Sequence, residues 1–197
     1  MLILDLCGGT GSWSTPYRQA GYDVLVIDPQ AIVSEGVRMT VRDFLRDTRP
    51  FVKERVHGVL AAPPCTEFAG SGARWWADKP PYLLENAIQV VRDCLRCINI
   101  FEPHWWCLEN PVGRLARCVP EIGKHVATFQ PYDYGDPWSK RTCLWGNFCM
   151  PDKAPVPRDP DPRKGQAVWY ASPSPERQKL RSITPPGFAN AFAQANP

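Results

Sequence analysis

Short apolar runs and stretches of helical periodicity take turns along most of the chain. Leu2-Ile3-Leu4-Asp5-Leu6 is a short apolar run ending in Cys7-Gly8-Gly9-Thr10-Gly11, the pattern of a buried strand followed by a glycine-rich turn. A helix is predicted next: Ser14 or Thr15 can cap it, Pro16 suits its first turn, and Gly21 fits just past its end. Asp23-Val24-Leu25-Val26-Ile27 reads as a second buried strand with Asp28 at its carboxyl end, which opens a β-α-β unit.

His57 to Ala62 forms another strand, stopped by Pro63-Pro64, and the residues after Cys65 make a loop rich in Gly, Ala and Ser. From Tyr82 to about Ile100, apolar residues at Leu83, Leu84, Ala87, Ile88, Val91, Cys94, Leu95 and Ile98 recur at helical spacing, the clearest helix of the chain. His104 to Leu108 reads as a strand delivering Glu109-Asn110-Pro111, and later strands are predicted at Val126 to Phe129 and Thr142 to Trp145. The alternation is that of an α/β, doubly wound domain with a mostly parallel sheet.

Prolines at 151, 155, 157, 160, 162, 173 and 175 mark an irregular arm at about residues 150–180. Order returns with Thr184-Pro185, read as a helix cap with proline in the first turn, followed by Phe188, Ala189, Ala191, Phe192 and Ala195. No internal repeat is evident. The whole of residues 1–197 is expected to be one domain.

Composition narrows the class. With 44% hydrophobic and 11% aromatic residues, the chain can pack a core and is not broadly disordered. No span of about 20 apolar residues is present and the N-terminus lacks the basic start of a signal peptide, so a cytoplasmic protein without a membrane partner is expected. The eight cysteines lie within apolar segments without regular spacing, which fits reduced thiols. Cys94-Leu95-Arg96-Cys97 falls inside the helical pattern with no second pair or nearby histidine, so no metal is assigned to it. A net charge of +3 is compatible with nucleic acid but does not require it.

Three places carry chemistry. The glycine loop from Asp5 to Gly11 lets backbone approach a ligand closely, and Asp28 sits where a carboxylate accepts hydrogen bonds from ribose hydroxyls in doubly wound folds. Together they favour an adenosine-containing cofactor, although the loop alone serves equally as a structural turn. Enzymes that methylate exocyclic amines usually place an aromatic after a proline pair like Pro63-Pro64; here Cys65 follows and implies a nucleophile, the alternative being a buried structural thiol. C5 of cytosine reacts poorly with electrophiles until something adds to C6, and a thiolate adds well there. Glu109 would hydrogen-bond N3 and the amino group as charge develops, or else be an ordinary strand-end charge; Asn110 and Pro111 are expected to form the turn that aims it.

In their order and spacing, Asp5 to Gly11, Pro63-Pro64-Cys65, Glu109-Asn110-Pro111 and Tyr134-Gly135-Asp136-Pro137 resemble the motifs of DNA cytosine-5 methyltransferases, over most of the first 146 residues. The resemblance implies a Rossmann-like domain, S-adenosylmethionine as cofactor and DNA, double- or single-stranded, as substrate. By it, Cys65 is the nucleophile and Glu109 the base-activating acid. Asp5, Cys7, Gly8, Gly9, Thr10, Gly11, Asp28 and Pro63 surround the cofactor, and Asp43, after the third strand, holds the adenine amino group. Pro64, Asn110, Trp75 and Trp76 are the expected substrate contacts; the tryptophans either cover a flipped base or pack in the core, whereas Trp105-Trp106 are assigned to the core.

The chain departs from the family pattern in several places. Cys7 replaces the usual phenylalanine and Pro111 the common valine. Trp138-Ser139-Lys140-Arg141-Thr142 stands where the family has glutamine and two spaced arginines, so Lys140 and Arg141 are the expected substitutes, or else a basic pair on a solvated strand edge. Only about thirty-five residues separate Gly146 from Arg181, where relatives carry a sizeable target-recognition region. Arg158, Arg163, Lys164, Arg177, Lys179 and Arg181 offer phosphate contacts, which give affinity with little specificity. A separate specificity factor would then be needed. Two alternatives remain open: a reduced, viral-type relative that binds nucleic acid without turnover, and the same chemistry on RNA or a free cytidine nucleotide.

Overall fold

The structure is a computed structural model that describes residues 1–34, 36–166 and 181–197. Arg177, Lys179, Pro173 and Pro175 lie outside the described residues. Seven strands form one sheet: β1 (Leu2–Leu6), β2 (Asp23–Ile27), β3 (Gly36–Val37), β4 (Val56–Ala61), β5 (Trp105–Pro111), β6 (Ala127–Phe129) and β7 (Thr142–Asn147). Among the described residues the α-helices are α1 (Thr15–Gln19), α2 (Val41–Phe44), α3 (Pro81–Phe101), α4 (Leu115–Cys118), α5 (Pro162–Gly165) and α6 (Pro186–Ala195).

The sheet order is β3-β2-β1-β4-β5-β7-β6, parallel from β3 through β5, with β7 running antiparallel between β5 and β6. Strand alternation in β1 sorts the core into two layers. Leu2, Leu4 and Leu6 face Phe44 of α2 and Val91, Cys94, Cys97 and Ile98 of α3. Ile3 faces the opposite layer with Trp13, Tyr17, Trp105, Phe129, Phe188 and Phe192, where α6 closes over α1. Phe129 stacks on Phe188 at 3.7 Å between ring centres, and Trp105 lies 5.5 Å from Tyr17 and 5.7 Å from Phe192. Trp105 and Trp106 are core residues, as expected.

Three local readings need correction. β5 continues through Pro111 rather than turning at Asn110-Pro111, because Glu109, Asn110 and Pro111 pair with Leu144, Cys143 and Thr142 of β7. The Val112 amide donates to the Arg141 carbonyl, so the alternation puts the missing donor of Pro111 on the other edge, beyond the last residue of β4 that pairs with β5. At the start of α1, Ser14 occupies the cap position but gives its hydroxyl to Asp5 instead of the helix. At α6, Pro185 is the capping residue and Pro186 the first helical one; the amide of Thr184 donates to Ser12 Oγ, and that of Gly187 to Asp136 Oδ2.

The first part of the arm is tied down. Amides of Ala154, Val156 and Asp159 donate to the carbonyls of Asp133, Tyr132 and Pro137, and the Ser139 amide to Gly165, so residues 154–165 run along the segment before β7. Among the described residues no helix is long and apolar enough to cross a membrane.

Candidate active site

In an open parallel sheet the loops leaving two strands part company where the strand order reverses, and the crevice between them receives ligands. Here the reversal lies between β1 and β4, which continue into the glycine loop and into Pro63-Pro64-Cys65.

Asp5 anchors the glycine loop. It is fully buried, accepts the Ser14 hydroxyl on Oδ2 at 2.5 Å, and has no partner for Oδ1 among the described residues. Burial pushes its carboxyl up to about 7, with the Ser14 hydrogen bond opposing, Asp28 adding to the rise, and Arg18 opposing it. A Cβ on Gly8 would collide with the Asp5 carboxyl, so only glycine lets the chain pass over it. Asp28 closes the loop from β2: its Oδ2 accepts the Gly9 amide at 3.2 Å and its Oδ1 the Gln30 amide at 2.6 Å. Each oxygen keeps acceptor capacity for a further donor such as a ribose hydroxyl. Thr10 accepts the Ser12 amide, and Ile32, 61% exposed, donates its amide to the Gly9 carbonyl and brings apolar surface beside the loop.

An orphaned buried carboxylate oxygen, a crowded glycine turn and a partly used acid on the next strand fit an adenosyl group with an amino-acid tail. Cys7 and Asp43 sit differently from the others. Cys7 takes a left-handed conformation, with Sγ 4.0 Å from Cys94 Sγ on α3, so its side chain faces the core. Asp43 is exposed on α2, receives the Thr40 hydroxyl at 2.7 Å and pairs with Arg46 at 2.9 Å. Its carboxylate thus closes a local helix cap.

Across the crevice stand Cys65, Glu109 and Lys140. Cys65 is half-buried, and its carbonyl accepts the amides of Phe68 and Ala69, which turns the chain sharply after it. Burial raises its thiol pKa; Arg181 and Lys140 pull it back, and Glu109 pushes it up again. Glu109 is only 6% exposed and Oε2 has no partner among the described residues, so it is not the solvated strand-end charge that its position also allowed. Beside it, Asn110 donates Nδ2 to the Pro63 carbonyl at 3.0 Å, binding β5 to the cysteine segment, while its own oxygen has no partner among the described residues. Pro63 is buried and Pro64 exposed.

The basic pair divides. Lys140 is 9% exposed, with Nζ donating to the Ile183 carbonyl at 3.3 Å, whereas Arg141 points outward and is exposed. Strand alternation accounts for this, since neighbours on an extended chain face opposite ways. The tryptophans divide too. Trp75 is 55% exposed under the Arg74 guanidinium at 5.0 Å, and Trp76 is half-buried with Arg114 4.0 Å above its ring. Arg181, read from sequence as a phosphate contact, also reaches the loop after Cys65, where Nη2 donates to Ser71 Oγ at 3.0 Å. Nothing local in the sequence signals that placement, since it depends on how the chain returns after β7.

No protein-family model matches the chain. Over 128 residues it is 30% identical to the Type II methyltransferase M.DdeI of Desulfomicrobium norvegicum, a match covering 59% of this chain and 29% of that protein. The chain therefore spans less than a third of this curated relative. It also superimposes on a solved structure described as a 'putative DNA modification methyltransferase' encoded within an E. coli prophage, with a TM-score of 0.53 at 17% identity, over 88% of this chain and 56% of the other. The fold is that of a Rossmann-like methyltransferase. Within that fold the glycine loop and the Cys65–Glu109 region flank the crevice at the strand reversal.

Proposed function

We propose that this chain transfers a methyl group from S-adenosylmethionine to C5 of cytosine in DNA. The observation that carries the reading is Glu109: a buried side chain with an oxygen that has no partner among the described residues, next to Asn110, which ties its strand to the cysteine segment through the Pro63 carbonyl. A folded protein tolerates such a group poorly unless a ligand completes it. A cytosine between Glu109 and Cys65 would do so, with N3 and the exocyclic amine at the former and C6 at the latter.

When bound, S-adenosylmethionine would supply an electrophilic methyl on a sulfonium, and the Asp5–Gly11 loop and Asp28 would hold it. Cys65 would add as thiolate to C6, forming the S–C6 bond as the C5–C6 π pair moves towards C5, while Glu109, protonated once the base is bound, lends its proton to N3. C5 would take the methyl group, the sulfonium's bonding pair staying behind on a neutral thioether. Water or hydroxide would then remove the C5 proton, its bonding pair re-forming C5=C6 as the S–C6 bond breaks, so that Cys65 leaves as thiolate and N3 returns its proton to Glu109. The raised thiol pKa fits a group held neutral until substrate arrives. Trp75 offers its face to an unpaired or flipped base.

The test is mass spectrometry of nucleosides from DNA incubated with protein and cofactor. Appearance of 5-methylcytosine, abolished by Cys65→Ser, is expected. Its absence on double-stranded DNA, single-stranded DNA and RNA alike would sink the reading. Methylation of free cytidine nucleotides in preference to polymer would keep the chemistry and move the substrate, a second reading favoured by the shortness of the segment between β7 and Arg181.

A further inference from the structure

A thiolate at Cys65 and a carboxylate at Glu109 place two negative charges in one partly dry site, and Lys140 is the only cation that β7 and its approach turn inward. The next inward position, Thr142, is neutral and donates its hydroxyl to the Lys140 carbonyl. One positive charge against two leaves the reactive form of Cys65 strongly disfavoured.

The segment from Arg181 to Thr184 lies across this gap. Arg181 donates to Ser71 on the cysteine loop, the Ile183 carbonyl receives the Lys140 ammonium, and the Thr184 amide donates to Ser12 on the glycine loop. Four residues thus touch the cysteine loop, the basic residue before β7 and the cofactor loop. Arg181 is half-buried, and among the described residues the charged groups that act on Cys65 are Arg181, Lys140 and Glu109.

We propose that Arg181 is the second cation of the Cys65 site, a positioning residue that fastens the cysteine loop through Ser71 and favours the thiolate form of Cys65. The proposal rests on Cys65 as the reactive thiol. It does not require the substrate to be cytosine. Arginine suits the role because its planar fork can bond Ser71 with one nitrogen and keep its charge towards the sulfur. In this arrangement the chain that returns after β7 completes the nucleophile's surroundings, and its docking couples the cofactor loop to the thiol.

The experiment measures alkylation of Cys65 by iodoacetamide against pH on the full chain without DNA, with the Cys65 peptide resolved from the other cysteines by mass spectrometry. Arg181→Met should move the alkylation midpoint to higher pH and slow the reaction several-fold at about pH 8, because only thiolate reacts. Arg181→Lys should restore most of the rate, and Ser71→Ala should give a smaller change of the same sign. Arg117→Met, which removes an exposed charge from α4, should leave the midpoint in place. A midpoint that does not move in Arg181→Met, or that moves equally in Arg117→Met, overturns the proposal. Intact melting curves for each variant exclude loss of fold. If the Arg181 effect is present while no nucleic acid is methylated, the assignment of substrate fails and the role of Arg181 stands.

Discussion

Asp5 and Glu109 are buried acids that the fold treats differently, and each difference is measurable. Asp5 has a carboxyl raised to about 7, so between its unfolded value near 4 and 7 the folded state binds more protons than the unfolded chain. Its contribution to stability is therefore fully present below about pH 4, declines as pH rises, and is lost above the folded value. At about 1.4 kcal/mol per unit, the decline is roughly 4 kcal/mol at most. Asp5→Asn keeps an acceptor for Ser14 and removes the titration, so urea midpoints at pH 5 and pH 8 should differ less in the variant than in the wild type. An unchanged difference would refute the assignment. Glu109→Gln keeps the shape of the site but removes the acid. It should cut methyl transfer by about 10²- to 10⁴-fold, the usual worth of general acid–base catalysis. Because Glu109 raises the Cys65 thiol pKa, the same variant should make Cys65 easier to alkylate. Opposite changes in the two assays would separate a catalytic acid from a structural one, in which case both would fall together.

At the scale of the elements, the loop from Cys65 to Lys79 is held by contacts that explain how its two tryptophans differ. Its Gly70 amide donates to Val112, its Phe68 carbonyl accepts from Arg114, and Glu67 pairs with Lys79 at 2.7 Å. Gly113 passes so close to the Phe68 carbonyl that a Cβ would strike it. Arg114 also covers Trp76, so Trp76 belongs to the loop's anchorage, while Trp75 stands free of the body. Trp75→Ala should weaken binding of single-stranded oligonucleotides by about 1–3 kcal/mol, the worth of one base stacked on an aromatic ring, without changing the melting temperature. Trp76→Ala should lower the melting temperature. A fall in melting temperature for Trp75→Ala with unaltered binding would reverse the assignment. The elements readable in the sequence were those whose burial leaves a pattern. β1, β2, β4 and α3 are apolar runs or stripes bounded by glycine or proline, and they appear within a residue or so of their expected limits. β3, expected before Asp43, is two residues long and leaves no run from which its limits could be read, and the arm pairs through backbone groups, which leave no trace in side-chain pattern. Cys65 and Glu109 could be nominated from the sequence because a reactive residue after a proline pair and an acid on a strand are local signals. Arg181 could not be placed beside them, since its position rests on a contact with Ser71 from a distant part of the chain.

At the scale of the whole molecule, the described residues that follow β7 add little surface beside the candidate crevice for reading base edges. Residues 154–165 are spent on hydrogen bonds along the segment before β7, so what they offer outward is charge, at Arg158, Arg163 and Lys164, all exposed. Such side chains bond phosphates, which are alike at every step of a duplex, whereas discrimination needs donors and acceptors set against base edges in the groove. The proposed enzyme should therefore bind DNA by charge and find its cytosine with little sequence preference unless a separate factor supplies it. Fluorescence anisotropy with two unrelated duplexes of equal length, titrated between about 50 and 200 mM salt, tests this. Both affinities should fall in parallel, with a log–log slope of about 0.9 for each phosphate contacted, and Arg163→Ala should reduce both the affinity and the slope by similar amounts for the two sequences. A preference of more than about a hundredfold for one duplex that persists at high salt would mean that base edges are being read, because released counterions cannot distinguish sequences.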